Sequence, residues 1–287
     1  MITGTTQLLG VIGDPVEHSL SPAMHNAAIA HLGVDIVYLP LPVPNGRLTE
    51  AIAGFEAIGL RGFNITIPHK QAIMPLLNDI SDIAQAVGAV NTVGWGKTGW
   101  WGTNTDVVGF IAPLKNLERN WTNAIALVLG NGGAARAVVA GCTQLGCQEI
   151  WVVGRRAEKL EAFEKSWQQS PIQLPLKTFT WEHLPELLPN ATLVVNTTPV
   201  GMHPNVDTCP LSPSEIAKLP PGAIAYDLIY TPSPTQFLQQ AEKQGAIAID
   251  GLEMLVQQGA AALSLWLGQA APVDVMRQTL SVQLGLD

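Results

Sequence analysis

Short apolar runs alternate with amphipathic segments from one end of the chain to the other, and this order constrains the fold more than any other feature. LLGVIG (8–13) reads as a strand. SPAMHNAAIAHLG reads as the helix after it, with Ser21 as N-cap, Pro22 at the first helical position and Gly33 as terminator. DIVYLPLPV, a helix from Leu48 to Ile58, GFNITI and a helix from about His69 continue the series. A second series begins near Ala124 with AIALVLG. GGAARAVVAGCTQLG then sets Ala134, Val138, Gly141, Cys142 and Leu145 on one helical face. EIWVVG, ATLVVNTTP, AIAYDLIYTP and AIAIDG supply further strands, and the tail from Gly251 to Leu284 is helical twice over, broken around Pro272. Strands that alternate with helices run parallel, and a parallel sheet is covered by helices on both faces. The expectation is an α/β chain of two domains with mostly parallel sheets, joined somewhere in 105–122. With 287 residues, 47% of them hydrophobic and 13% charged, there is apolar material for two cores.

Charge and cysteine usage narrow the function classes. A net charge of −8 leaves no broad basic surface for nucleic acid. Cys142, Cys147 and Cys209 have neither zinc nor redox-motif spacing and fit a reducing compartment. No His/Cys/Asp cluster suggests a metal. MITGTTQLLG lacks the basic start and apolar core of a secretion signal, and no apolar run approaches the about 18 residues of a membrane span. A cytoplasmic protein acting on a small molecule, without membrane or nucleic-acid partner, is expected.

Gly130-Asn131-Gly132-Gly133-Ala134-Ala135 follows a strand and opens a helix, which is the G-x-G-x-x-A form of the dinucleotide fingerprint. The first glycine permits the tight turn, and the second lets backbone N–H groups approach a pyrophosphate at the positive end of the helix. An NAD site places Asp or Glu at the end of the next strand to hold the ribose hydroxyls. Here that strand ends in Gly154, Arg155 and Arg156, with Lys159 one turn on. Two guanidiniums can grip a 2′-phosphate, which favours NADP, although the same charges also suit a solvated basic loop.

Polar residues gather at strand ends in the first half: Ser19 and Ser21, Thr66 and Lys70, Asn91, and Asp106. Ligands of open parallel sheets bind beyond the C-terminal strand ends, so these side chains can converge on one polyhydroxylated molecule. Each also has a plain structural reading as cap, turn or surface residue. A lysine at a helix start opposes the dipole, and Asp106 is the obvious carboxylate to offset it.

SLSPxMHN, NITIPHK, GAVNT, GxNTD, GxGGAA, NTTPVGM, YDLIYTP and DGLxMLVxQ occur in that order from about Gly13 to Gly268, and together they resemble the shikimate dehydrogenase family. The resemblance implies NADPH-linked interconversion of 3-dehydroshikimate and shikimate. It implies that Ser19 and Ser21 hold the substrate carboxylate, that Lys70 is the catalytic lysine paired with Asp106, and that Asn91 and Asp106 bind ring hydroxyls. Thr66, Tyr230 and Gln258 would complete the substrate shell. For NADP it implies Gly130, Asn131, Gly132, Gly133 and Ala134 at the pyrophosphate and Gly154, Arg155, Arg156 and Lys159 at the 2′-phosphate. Leu228 and Gly251 would lie near the nicotinamide, and Asp82 at a position sometimes assigned to cofactor contact. Where the family often has N-R-T this chain has Gly154-Arg155-Arg156, and where the family has D-G-L-G this chain has Glu253, expected to face solvent.

The implied organisation is a substrate domain over 1–106, a Rossmann NADP domain over 107–245, and C-terminal helices over 246–287 that return to the substrate domain so that Gln258 reaches the ligand of Ser19. The implied assembly is a monomer or homodimer. A quinate or quinate/shikimate dehydrogenase, a reductase of folate or glutamyl units, and a non-catalytic dinucleotide sensor remain as alternatives, the sensor disfavoured by Lys70 and Asp106. His69 is taken as structural.

Overall fold

The computed structural model describes residues 2–168, 170 and 173–286. The chain divides into two compact units, one of Met1–Gly109 with Val256–Asp287, the other of Phe110–Leu255.

The first unit contains β1 (Gln7–Gly13), α1 (Ser21–Leu32), β2 (Ile36–Pro42), α2 (Leu48–Ala57), β3 (Gly62–Ile65), β4 (Asp79–Ile80), α3 (Asp82–Val87), β5 (Thr92–Gly96) and β6 (Gly99–Thr103), and its N-terminal stretch ends within α4 (Asp106–Lys115). Its sheet order is β2-β1-β3-β5-β6-β4. β1 runs parallel to β2 and β3, but β5 is antiparallel to both β3 and β6. The reason is local. Only Lys97 and Thr98 separate β5 from β6, with Gly99 at φ 112°, and so short a link closes a hairpin rather than a crossover. The alternation of apolar and helical segments hides this hairpin, because VGWG (93–96) is broken by glycine at every second position.

Two local expectations are corrected. Ser21 is the first helical residue of α1 rather than its cap; Leu20 holds the cap position and no side chain caps the helix. The segment after β3 is a run of turns over 67–73 followed by a 3-10 turn at Met74–Leu76, not a helix. Lys70 therefore opposes no helix dipole, and its need for a carboxylate rests on partial burial instead. Gly33 does terminate α1 in the left-handed region, at φ 65°.

The second unit carries β7 (Ile125–Leu129), α5 (Gly133–Leu145), β8 (Glu149–Gly154), α6 (Ala157–Lys165), β9 (Leu176–Thr180), α7 (Leu184–Leu187), β10 (Leu193–Asn196), α8 (Pro213–Ile216), β11 (Ile224–Asp227), α9 (Gln236–Lys243) and β12 (Ile247–Ile249). All its pairings are parallel, in the order β12-β11-β10-β7-β8-β9. The chain winds outward from β7 in both directions, so the order reverses between β7 and β10. This is the doubly wound arrangement, and its ligand crevice opens at that reversal, beyond the C-terminal ends of the strands. β7, β10 and β11 are buried along almost their whole length, as a sheet covered on both faces requires.

α10 (Leu252–Leu267) and α11 (Val273–Leu284) close the chain. From Val256 onward they belong to the first unit, where Trp266 Nε1 donates to Val93 O at 2.9 Å and Gly259 lies against Met24.

Candidate functional site

In the first unit three of the polar residues at the strand ends, Lys70, Asn91 and Asp106, meet. Lys70 Nζ lies 2.6 Å from Asp106 Oδ2, with the two side chains only 30% and 16% exposed. Asp106 opens α4, where a carboxylate is favoured by the positive end of the helix. Its backbone N–H donates to Asn104 Oδ1 at 3.0 Å, and Asn104 in turn donates to Ala89 O at 2.9 Å, so the GTNTD segment is pinned. Asn91 Nδ2 donates to Asp106 Oδ1 at 2.8 Å. Asp106 thus holds one oxygen on Asn91 and the other on Lys70. The backbone of Lys70 is fixed as well, its carbonyl accepting from Val90 N at 2.8 Å.

Thr66 sits where the loops after β1 and β3 run together. Its N–H donates to Ile12 O at 2.9 Å, and its methyl occupies the space a Cβ would need on Gly13. Asp14 N–H donates to Ile67 O at 3.0 Å across the same junction. Ser19, in the loop after β1, and Ser21, at the start of α1, are both half-buried, with Ser21 N–H donating to Ser19 Oγ at 3.3 Å. Gln258 is on α10, one residue from Gly259, whose missing side chain admits Met24 of α1. His69 is buried, and its Nε2 donates to Val43 O at 2.7 Å, so it ties the Lys70 turn to the end of β2. Asp82 is exposed in the first turn of α3 behind the Ser81 cap, a sufficient structural setting for an acid.

Motif reading assigns no role to four residues behind this site: Tyr38 and, within NITIPHK, GAVNT and GxNTD, Asn64, Thr92 and Thr105, which side-chain hydrogen bonds link to Asn91 directly or through one another. The available signal was Asn64, a polar residue in the midst of a buried strand.

In the second unit the glycine turn lies at the end of β7. Gly130 has φ 102°, and a Cβ there would stand 2.8 Å from Thr197 Oγ1. Thr197 cannot easily give way, because its hydroxyl donates to Leu129 O at 2.7 Å. Gly132 and Gly133 face open space within 4 Å. No side chain caps α5, so its first N–H groups remain available to an anion. Asn131 reaches over Gly154, its Oδ1 3.2 Å from where a Cβ on Gly154 would be. Arg155, Arg156 and Lys159 are exposed and form no ion pair with any described residue. An uncapped helix start, room over two glycines and three free cations together fit a dinucleotide bearing an extra phosphate.

Beside the turn, Asp227 is fully buried at the end of β11. It accepts from Asn196 Nδ2 at 3.0 Å, Ile229 N at 3.1 Å and Thr235 Oγ1 at 2.7 Å. Burial pushes its carboxyl up to about 6 against those three donors. Leu228 and Gly251 are in direct contact: a Cβ on Gly251 would collide with the Leu228 carbonyl. Tyr230 is half-buried, and burial raises its hydroxyl pKa. Glu253 is half-buried rather than turned fully to solvent. Among the described residues no helix is long and apolar enough to cross a membrane.

Comparison with known proteins identifies related chains. Residues 11–93 match the family model for the shikimate dehydrogenase substrate binding domain, and residues 251–280 match that for the shikimate 5'-dehydrogenase C-terminal domain. The chain is 64% identical over 288 residues, covering 100% of each, to a shikimate dehydrogenase (NADP(+)) of Trichormus variabilis. Among solved structures it resembles shikimate 5-dehydrogenase of Listeria monocytogenes in complex with shikimate and NAD, with TM-score 0.89 and 35% identity over 97% of this chain and 98% of that one. It also resembles shikimate 5-dehydrogenase of Thermus thermophilus in complex with NADP(H) and shikimate, with TM-score 0.84 and 34% identity over 95% and 98% of the two chains.

Proposed function

This chain belongs to the shikimate dehydrogenase family, and on that premise we propose that it reduces the 3-keto group of 3-dehydroshikimate to shikimate with NADPH, reversibly. The observation that carries the reading is the Lys70–Asp106 pair at 2.6 Å, with Asn91 on the second carboxylate oxygen.

NADPH supplies the hydride to the carbonyl carbon, and the carbonyl oxygen must then gain a proton. Lys70 stands ready for that task. A lysine ammonium carries a proton at neutral pH, stabilises a developing alkoxide and delivers the proton to it. Asp106 holds the ammonium in place and accepts from a neighbouring ring hydroxyl. Asn91 fixes Asp106 and adds a polar contact to the ring. Ser19 and Ser21 hold the carboxylate of the substrate, and Thr66, Tyr230 and Gln258 complete its shell. In the oxidation direction the same lysine, deprotonated, accepts the hydroxyl proton.

The first unit is thus the substrate domain and the second the NADP domain. Gly130 to Ala134 take the pyrophosphate on the start of α5. Gly154 keeps the floor of the adenosine pocket low, and Arg155, Arg156 and Lys159 take the 2′-phosphate. Leu228 and Gly251 form the wall for the nicotinamide. The enzyme works in the cytoplasm as a monomer or homodimer.

Initial rates with shikimate and with quinate, each with NADP and with NAD, test the reading. Shikimate with NADP should be the fastest pair. Quinate turned over as fast as shikimate would make this a dual-substrate enzyme. No turnover of either, with NADP still bound, would favour a sensor on the same fold.

A further inference from the structure

A line of hydrogen bonds runs from the core of the first unit to Lys70. It begins at Tyr38 in β2, which is 1% exposed and stacks on His25 with ring centroids 4.2 Å apart. Burial raises the Tyr38 hydroxyl far above the ordinary phenol range, so it stays protonated. Burial also lowers His25 to about 3, so the stacked imidazole is neutral. The tyrosine hydroxyl donates to Asn64 Oδ1 at 2.7 Å. Asn64 then presents Nδ2 to Asn91 O at 3.2 Å and to Thr92 Oγ1 at 3.1 Å. Having accepted there, Thr92 gives its own hydrogen to Asn91 Oδ1 at 2.9 Å. Asn91 Oδ1 also receives Thr105 N–H at 2.8 Å. Its oxygen so engaged, Asn91 turns Nδ2 to Asp106 Oδ1 at 2.8 Å, which leaves Asp106 Oδ2 for Lys70.

From Tyr38 to Asp106 each link donates outward; Thr105 joins at Asn91 from the side, and Lys70 donates to Asp106 from the far end. A hydrogen-bonded chain inside a protein polarises along its length, and its buried members cannot borrow water when one link is lost. We propose that Tyr38, which touches none of the reacting groups, is a positioning residue: through Asn64 and Thr92 its buried hydroxyl holds Asn91 in the orientation that fixes Asp106 against Lys70. The proposal rests on Lys70 and Asp106 being the reacting pair. A phenylalanine would fill the same space and keep the stack on His25, so packing alone does not call for the hydroxyl. Without it, Asn64 Oδ1 is left as a buried acceptor with no donor, the costly half of a broken hydrogen bond. Asn64 then turns to recover a partner and loosens Thr92 and Asn91.

The test is a double-mutant cycle on shikimate oxidation. Tyr38→Phe should lower kcat about tenfold, the loss expected for about 1.4 kcal/mol of misplacement at the site, with the NADP Kd unchanged within about twofold. On an Asn64→Ala background the same substitution should change kcat by less than about twofold, because the link it acts through is gone. Thr92→Val provides the same cycle if Asn64→Ala does not fold. A Tyr38→Phe enzyme whose kcat stays within about twofold of wild type overturns the proposal, as do losses that simply multiply in the double variant. A second readout is independent of turnover: the side-chain amide resonances of Asn91 should move in Tyr38→Phe. Unmoved resonances overturn the positioning role. Resonances that move in Tyr38→Phe, alongside a wild type that never oxidises shikimate, would support the positioning network and count against the reaction assigned above.

Discussion

Asp227→Asn should flatten the dependence of stability on pH. The wild-type carboxyl is fully buried, and burial raises it from an ordinary 3.8 to about 6 despite three donors. A carboxyl raised in the folded state contributes stability that is fully present below its unfolded pKa and is lost as pH rises through its folded one. Between those values the native protein binds more protons than the unfolded chain, so stability falls with pH. The gap from 3.8 to about 6, at about 1.4 kcal/mol per pH unit, bounds the loss at about 3 kcal/mol. Asparagine does not titrate, its oxygen can still accept from Asn196 and Ile229, and the Thr235 hydroxyl can turn to accept from its amide. Asp35, Glu149 and Glu161, each held below the ordinary carboxylate range by side-chain hydrogen bonds, have the opposite sign but are common to both proteins and cancel. Urea unfolding of wild type and variant in parallel, from about pH 4 to about pH 7, reads the difference directly. The variant should gain on the wild type by up to about 3 kcal/mol across that window. A difference in stability that stays constant with pH would refute the reasoning, whatever its absolute size.

Other predictions separate the roles assigned in the cofactor turn. Arg155→Ala should weaken NADP binding by at least about tenfold, corresponding to about 1.4 kcal/mol, with NAD binding little changed; equal losses for both cofactors would make Arg155 a pocket support rather than a phosphate reader. Gly130→Ala should lower thermal stability by about 1 kcal/mol or more, because alanine at φ 102° is strained and its methyl would press on Thr197. Gly132→Ala has open space and an ordinary φ of −87°, so its melting temperature should hold while NADP affinity falls, as titration and a thermal melt would show together.

Much of the fold is legible in the sequence where a local rule and the tertiary environment agree. The second unit's sheet could be read from AIALVL, EIWVVG, TLVVN and AIAYD because its central strands are buried on both faces and so become continuous apolar runs. β9 escaped because LKTFT, half-exposed at the sheet edge, mixes polar and apolar residues without a buried run. The turn at 67–73 reads as a helix because its sequence, IPHKQAI, forbids helix only at its proline; its shape is imposed by tertiary bonds such as His69 to Val43 and Lys70 to Val90. The site shows the same division. Lys70, Asp106 and Asn91 stand at strand ends and could be found by motif. Asn64 and Thr92 lie in the same motifs, but their roles, and that of Tyr38, could not be read there, because what matters about them is the direction of their hydrogen bonds, which requires the register of β2 and β5 against their neighbours.

The proposed mechanism turns on Lys70 delivering the proton in carbonyl reduction. Single-turnover reduction of 3-dehydroshikimate by saturating NADPH, in wild type and Lys70→Ala, measures that step without product release. The rate should fall by about 10²–10⁴-fold while the NADP Kd stays within about twofold and the fold, read by circular dichroism, is unchanged. A Lys70→Ala rate within about threefold of wild type would remove Lys70 from the proton transfer.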